Sequence, residues 1–132
     1  MRLGRKWAWI WLSCVMMLLP VWAWGEEEVK FTDPNLETVV REAIGKPDGP
    51  IYKADLEELK ELRAGWKGIK ELSGLEHCVN LEVLYLERNQ ISDVSPLSGL
   101  GNLRKLSLWG NQISDISPLS GVVNLAWLDL GW

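Results

Sequence analysis

Asn80–Gly101, NLEVLYLERNQISDVSPLSGLG, is followed without a gap by Asn102–Val123, NLRKLSLWGNQISDISPLSGVV. Both stretches are 22 residues long, and 14 positions are identical. A third copy opens at Asn124 as NLAWLDLGW. One period upstream, Glu58–Val79, ELKELRAGWKGIKELSGLEHCV, keeps the apolar positions and little else. Self-similarity at this period marks a solenoid, in which no single unit can bury its own apolar face.

The apolar columns define the coil. Leu59, Leu81, Leu103 and Leu125 share one phase, and Leu62, Leu84, Leu106 and Leu128 the next. Ala64, Leu86, Leu108 and Leu130 follow two residues later. Ile69, Ile91 and Ile113 form a further column, then Leu72, Val94 and Ile116, then Leu75, Leu97 and Leu119. One turn of coil per repeat stacks each column into a continuous core. The alternation at Leu84-Tyr85-Leu86 predicts a short strand, and stacked strands make a parallel sheet. Asn89 and Asn111 come where the chain must turn, and an inward amide can both donate to and accept from the backbone groups freed there. The return through Ser95-Pro96-Leu97 and Ser117-Pro118-Leu119 carries a helix-start signal but has room only for a 3₁₀ or irregular turn.

The pattern LxxLxLxxNxISDxSPLxxL resembles the bacterial leucine-rich repeats of the internalin type, from about Phe31 to the end of the chain. The resemblance implies an α/β solenoid: a right-handed coil with a parallel concave sheet, a 3₁₀ or irregular convex side and a helical amino-terminal cap. Similar repeats occur in intracellular eukaryotic proteins, but the amino terminus favours an exported bacterial one. Asp33-Pro34 starts the cap helix, with Leu36, Val39, Val40, Ala43 and Ile44 on one face, and Gly45 ends it. Lys46–Pro50 is a loop by composition, and a short helical turn around Asp55-Leu56 leads into the first repeat. Tyr52 stands where related caps have a hydroxyl helix starter, and Lys67 takes the asparagine phase of the first repeat. The asparagine column is therefore expected to begin at Asn89. The implied division is residues 26–57 for linker and cap and 58–132 for repeats, of which 58–79 is degenerate, 80–101 and 102–123 are full, and 124–132 is incomplete.

Residues 1–25 differ from the rest. Arg2, Arg5 and Lys6 precede an uncharged run from Trp7 to Leu19, Pro20 interrupts it, and Ala23-Trp24-Gly25 precedes Glu26-Glu27-Glu28. This order is that of a secretory signal peptide cleaved after Gly25, and it places the protein outside the cell or on its surface. The rival is a retained anchor, since Trp7–Trp24 is near the ~17-residue minimum for a span. Pro20 and the small residues favour cleavage. A lipoprotein site at Leu12-Ser13-Cys14 is weaker, because too little apolar sequence precedes it. Cleavage leaves no expected membrane span and removes three of the basic residues, taking the net charge from −4 to −7. A domain this acidic repels nucleic acid and anionic membrane. Only Cys78 remains, so no internal disulfide can form, and its simplest role is that of a small buried apolar residue.

Residue types that carry catalysis do not converge. His77 is the lone histidine, and it lies in a turn with no second ligand or nucleophile in phase. There is no HExxH, glycine-rich phosphate loop or serine elbow. Neither an enzyme nor a cofactor is expected. Asp93 and Asp115 share a phase ~4.8 Å apart across the stack and are a distant candidate for calcium; Ser-Asp turn chemistry is the simpler account. Glu26 to Glu28 read as a solvated, mobile start.

The residues flanking the buried leucines point to the concave face. Glu61, Val83, Lys105 and Trp127 make one column, Arg63, Tyr85, Ser107 and Asp129 the next, and Gly65, Glu87, Trp109 and Gly131 the third. Tyr85, Trp109 and Trp127 are large aromatics on a face with no core to fill, and such residues anchor protein interfaces and stack on sugar rings. The candidate partner-binding set is Tyr85, Glu87, Lys105, Trp109, Trp127 and Asp129; Asn89 and Asn111 are structural. The leading expectation is an exported recognition module for a protein partner, with a glycan second. The alternatives are a structural spacer or fragment of a larger surface protein, and the non-catalytic part of an enzyme. The third copy stops at Gly131-Trp132, which is expected to leave Leu125, Leu128 and Leu130 with neighbours on one side and the last strand as an open edge. The 132-residue product is therefore expected to be an incomplete form of a longer repeat protein, marginally stable or self-associating through residues 124–132.

Overall fold

The computed structural model describes residues 27–131. Residues 1–25, where a signal peptide is expected, lie outside the described residues. A cap of two short strands, β1 (Glu28–Val29) and β2 (Ile51–Tyr52), and two helices, α1 (Pro34–Ile44) and α2 (Lys53–Glu57), precedes four coils of solenoid. Each coil contributes one strand: β3 (Glu61–Arg63), β4 (Val83–Tyr85), β5 (Lys105–Ser107) and β6 (Trp127–Asp129). These form one parallel sheet in chain order, with Leu62, Leu84, Leu106 and Leu128 in register. The return paths hold 3₁₀ turns at Leu75–His77, Ser95–Leu97 and Ser117–Gly121. The architecture is that of a leucine-rich-repeat solenoid.

Helix α1 starts and stops where its local chemistry dictates. The Asp33 carboxylate accepts from Asn35 N at 2.9 Å and Leu36 N at 3.4 Å, and Pro34 occupies the first helical turn. Gly45, at φ 68°, ends the helix in the left-handed conformation that glycine adopts without a steric penalty. Leu36, Val39 and Val40 are buried against the first coil, Ile44 is half-buried, and Ala43 is exposed rather than on the buried face. The other carboxylate oxygen of Asp33 accepts from Lys70 N at 2.6 Å and Glu71 N at 3.1 Å. One side chain thus caps the helix and ties the cap to the solenoid. In α2, Asp55 rather than a hydroxyl at Tyr52 supplies the cap contact, by accepting from Tyr52 N at 2.8 Å.

Of the leading glutamates, Glu27 and Glu28 are not a loose start, and Glu26 lies outside the described residues. Glu28 pairs with Tyr52 and Val29 with Ile51 in an antiparallel bridge, and Glu27 forms an ion pair with Lys53. The physical reason is Val29, only 5 % exposed, which pins this segment to the cap core beside Ile51.

The core follows the columns. Leu62, Leu84 and Leu106 are fully buried, as are Ile69 and Ile91, Leu72 and Val94, and Leu75 and Leu97. A further column was not foreseen: Cys78, Leu100 and Val122 are buried one period apart, each closing its 3₁₀ turn through a backbone N–H to the carbonyl three residues back. Cys78 is this column's first member, and burial pushes its thiol up to about 12. Toward the carboxyl-terminal end the columns open: Ile116, Leu128 and Leu130 are exposed, and Ile113 and Leu125 are partly covered.

Asparagines serve the turns twice over. Asn89 accepts from Lys67 N and Ile69 N, both at 3.0 Å, and donates to Ala64 O at 2.8 Å and Leu86 O at 2.9 Å. Asn111 repeats the arrangement with Ile91 N, Leu86 O and Leu108 O. Asn80, Asn102 and Asn124 build a second ladder on the other side of the strands, donating to Glu57 O, Val79 O and Gly101 O. In the Ser-Pro turns, Ser95 is not itself the cap. Asp93 accepts from Ser95 N at 2.9 Å and from its hydroxyl, and Asp115 accepts from Ser117 N at 2.9 Å. The Ser95 hydroxyl and N–H hold the Asp93 carboxyl below its usual range, and the Ser117 N–H and hydroxyl do the same for Asp115.

Candidate binding face

The outward side of the sheet is assembled by register alone. Glu61, Val83, Lys105 and Trp127 lie side by side, as do Arg63, Tyr85, Ser107 and Asp129. Beyond the strand ends, Trp66 N–H donates to Glu87 O, Arg88 N–H to Trp109 O and Gly110 N–H to Gly131 O, so the third column continues the stack. Trp127 is 44 % exposed, Lys105 is exposed, and Tyr85, Glu87, Trp109 and Asp129 are half-buried. Ser107 departs from the outward reading, at 2 % exposed. It is the smallest side chain of its column and sits in register between Tyr85 and Asp129, below the level its neighbours reach.

Charge on this face is partly consumed within it. Arg63 donates to Glu61 at 2.6 Å and lies 5.0 Å from the centre of the Tyr85 ring. Glu87 folds back over Gly65, where an added Cβ would stand 2.6 Å from its Oε1; Gly65 therefore makes the room. The other oxygen, Oε2, is buried with no hydrogen-bond partner. Asp129 accepts from Gly131 N at 3.0 Å. The Arg88 guanidinium lies 4.5 Å from the centre of the Trp109 ring. The same guanidinium lies 5.1 Å from the Trp66 ring, and Trp66 is the most exposed aromatic residue among those described, at 69 %.

Sequence reasoning missed Trp66 and Arg88. They belong to a column of their own, Trp66, Arg88 and Gly110, one period apart. The signal was there: a turn position that takes glycine in one repeat and bulky residues in the other two. Asp93 and Asp115 are both engaged within their own turns, and among the described residues no group of three or more His, Cys, Asp or Glu is placed to hold a metal ion. His77 is half-buried, 3.8 Å from Glu76.

A short-strand parallel coil with inward leucines and an asparagine turn defines the class, and the chain belongs to the leucine-rich-repeat family. The family signature described as Leucine Rich repeats (2 copies) matches residues 57–99, and that described as Leucine rich repeat matches residues 79–132. More narrowly, it is a leucine-rich-repeat protein of the bacterial internalin type. Internalin C2 from Listeria monocytogenes is similar at TM-score 0.74 and 34% identity, over 76% of this chain and 46% of its own. The internalin InlF from the same organism matches at TM-score 0.60 and 30% identity, over 76% of this chain and 37% of its own. The functional domain of InlJ, also from Listeria monocytogenes, shares the fold at TM-score 0.72 and 21% identity, over 80% of this chain and 25% of its own. The chain thus spans less than half the length of these solved chains. Leucine-rich-repeat domains are typically protein-interaction modules.

Proposed function

We propose that this is an exported recognition module that binds a protein partner through the outward face of its parallel sheet. The observation that carries the reading is the row of side chains around Trp127, Lys105, Val83 and Tyr85. They stand on neighbouring strands whose core is formed by other residues, with Leu84 and Leu106 fully buried beneath β4 and β5. Tyr85, Glu87, Lys105, Trp109, Trp127 and Asp129 form the contact set, with aromatic anchors beside charged groups as at protein interfaces. Export rests on the order of residues 1–25 and accords with internalins being surface or secreted bacterial proteins. Among the described residues no helix is long and apolar enough to cross a membrane.

The test is an array of extracellular proteins and glycans probed with the full chain and with Trp127→Ala. Protein binding should fall at least about tenfold in the variant, as for an interface anchor, while the melting temperature stays near that of the parent. Binding confined to glycans, or a variant that unfolds as Leu106→Ala does, sinks the proposal. Export is checked separately, by mass analysis of the protein from an expressing bacterium. The product should begin at or near Glu26, and an intact Met1 in the mature product would mean a retained anchor.

A further inference from the structure

Trp66, Arg88 and Gly110 occupy the same turn position in successive repeats, and their φ angles are 60°, 54° and 72°. Glycine adopts this left-handed conformation freely, whereas for tryptophan and arginine it is unfavourable. Trp66 and Arg88 are the only non-glycine residues with positive φ among those described. Two large side chains are therefore held where the backbone itself favours glycine. Strain of this kind is kept where a side chain has work to do at the surface.

The side chains meet. Trp66 belongs to the repeat before Arg88 and Trp109 to the repeat after it, so two indoles flank one guanidinium along the stack, at 5.1 and 4.5 Å. Gly110 leaves the space, since a Cβ there would lie 2.8 Å from Arg88 Cδ. Arginine ion pairs among the described residues are those of Arg41 and Arg63; Arg88 contributes only its backbone N–H, to Trp109 O. The guanidinium carbon lies over both indole rings, and among the described residues no side-chain N–H of Arg88 has a hydrogen-bond acceptor or an ion-pair partner. Neither Glu87, folded over Gly65, nor Asp129, which accepts from Gly131 N, forms an ion pair with Arg88 among the described residues.

A fork held this way has already lost its rotamer freedom and selects ligands by shape. A planar carboxylate can lie in the plane of the guanidinium and take two parallel hydrogen bonds. A tetrahedral phosphate or sulfate would push oxygens out of that plane toward the indoles. We propose that the Trp66–Arg88–Trp109 stack is a carboxylate receptor that takes an aspartate or glutamate side chain of the partner protein. This rests on the reading of the sheet face as a protein-binding surface, and gives that partner an acidic segment. The exposed Lys105 on the adjoining strand adds a second cation that has no ion pair among the described residues.

The experiment titrates the full chain with acetyl-hexaglutamate amide and with acetyl-hexaglutamine amide. The Arg88 side-chain N–H and the indole N–H signals are followed by NMR. The glutamate peptide should shift these signals saturably and the glutamine peptide should not. Arg88→Lys, which keeps the charge but not the fork, should bind the glutamate peptide about tenfold more weakly, the loss of one charge-assisted contact, with strand amide signals unchanged. Equal shifts from both peptides, or undiminished binding by Arg88→Lys, would overturn the receptor. So would stronger binding of inorganic phosphate or of N-acetylneuraminic acid than of the glutamate peptide. On the protein array, a partner lost by Trp127→Ala but kept by Arg88→Lys overturns the receptor and leaves the binding face standing. A partner lost by neither removes both.

Discussion

Single side chains hold the turns of this coil, and their removal should be costly out of proportion to their size. Asn89 satisfies backbone groups in its own turn and in the preceding one. Asn89→Ala should cost about 2–4 kcal/mol in urea unfolding, because at least two buried backbone groups would lose their partners at ~1–3 kcal/mol each. Gln90→Ala, exposed in the same turn, should stay within ~0.5 kcal/mol; similar losses for both would mean that the inward amide is not what holds the turn. Asp33 makes a pH-dependent contribution. Burial alone would raise its pKa, but N–H donors from Lys70, Glu71, Asn35 and Leu36 outweigh that and hold it below the usual value. A group with a depressed folded-state pKa stabilises above its unfolded value, ~3.9 for aspartate, and loses that contribution as pH falls through the folded value. The stability gap between the parent and Asp33→Asn should therefore be full at neutral pH and shrink on acidification below about pH 4. A gap constant from pH 6 to pH 3 would refute the assignment.

Strands and turns are too short here to be stable one at a time, so each element is stabilised by the copy next to it. The Leu62–Leu84–Leu106–Leu128 column shows this directly. Leu106, fully buried in β5, should lose about 2–5 kcal/mol on truncation to alanine. Leu128, 37 % exposed in β6, has neighbours on one side; its truncation should cost less than ~1.5 kcal/mol. Equal costs would mean that the last coil is packed as well as the middle ones. The strand and turn positions were legible in the sequence because each is repeated with one residue type in phase. Two elements were not. The β1–β2 bridge has no second copy, and a two-residue strand has no period to detect. The Cys78–Leu100–Val122 column was concealed because Val79 and Val123, in the next phase, are apolar too yet exposed, so the pattern does not say which phase turns inward.

At the scale of the whole molecule, stability in a solenoid is close to a sum over coils and their interfaces. The cap is bound to the first coil by Asp33, by the bond from Asn35 to Gly68 O, and by the apolar face of α1. The middle coils have neighbours on both sides. Native-state hydrogen exchange should therefore be slowest at the amides of Leu86 and Ala64 and fastest at Ala126 and Trp127, although all four are hydrogen-bonded to the adjoining coil. Uniform protection would mean that the chain unfolds only as a single unit.

What the sequence determined by itself was everything that depends on the period. The inward leucines, the parallel register and the asparagine turns follow from spacing, because one turn of coil per repeat converts distance along the chain into contact between layers; the cap helix from Asp33 to Gly45 follows from its own start and stop signals. The tertiary structure alone decided what depends on side chains from different coils meeting. Ser107 is covered although its neighbours in register reach outward, Glu87 folds over Gly65, and Asp33 reaches across to Lys70 and Glu71. Trp66, Arg88 and Trp109 come together in one stack. Their contact depends on a left-handed turn at two bulky residues and on the space above Gly110. Neither is a property of hydrophobic period; both arise only when the coils are packed one on another.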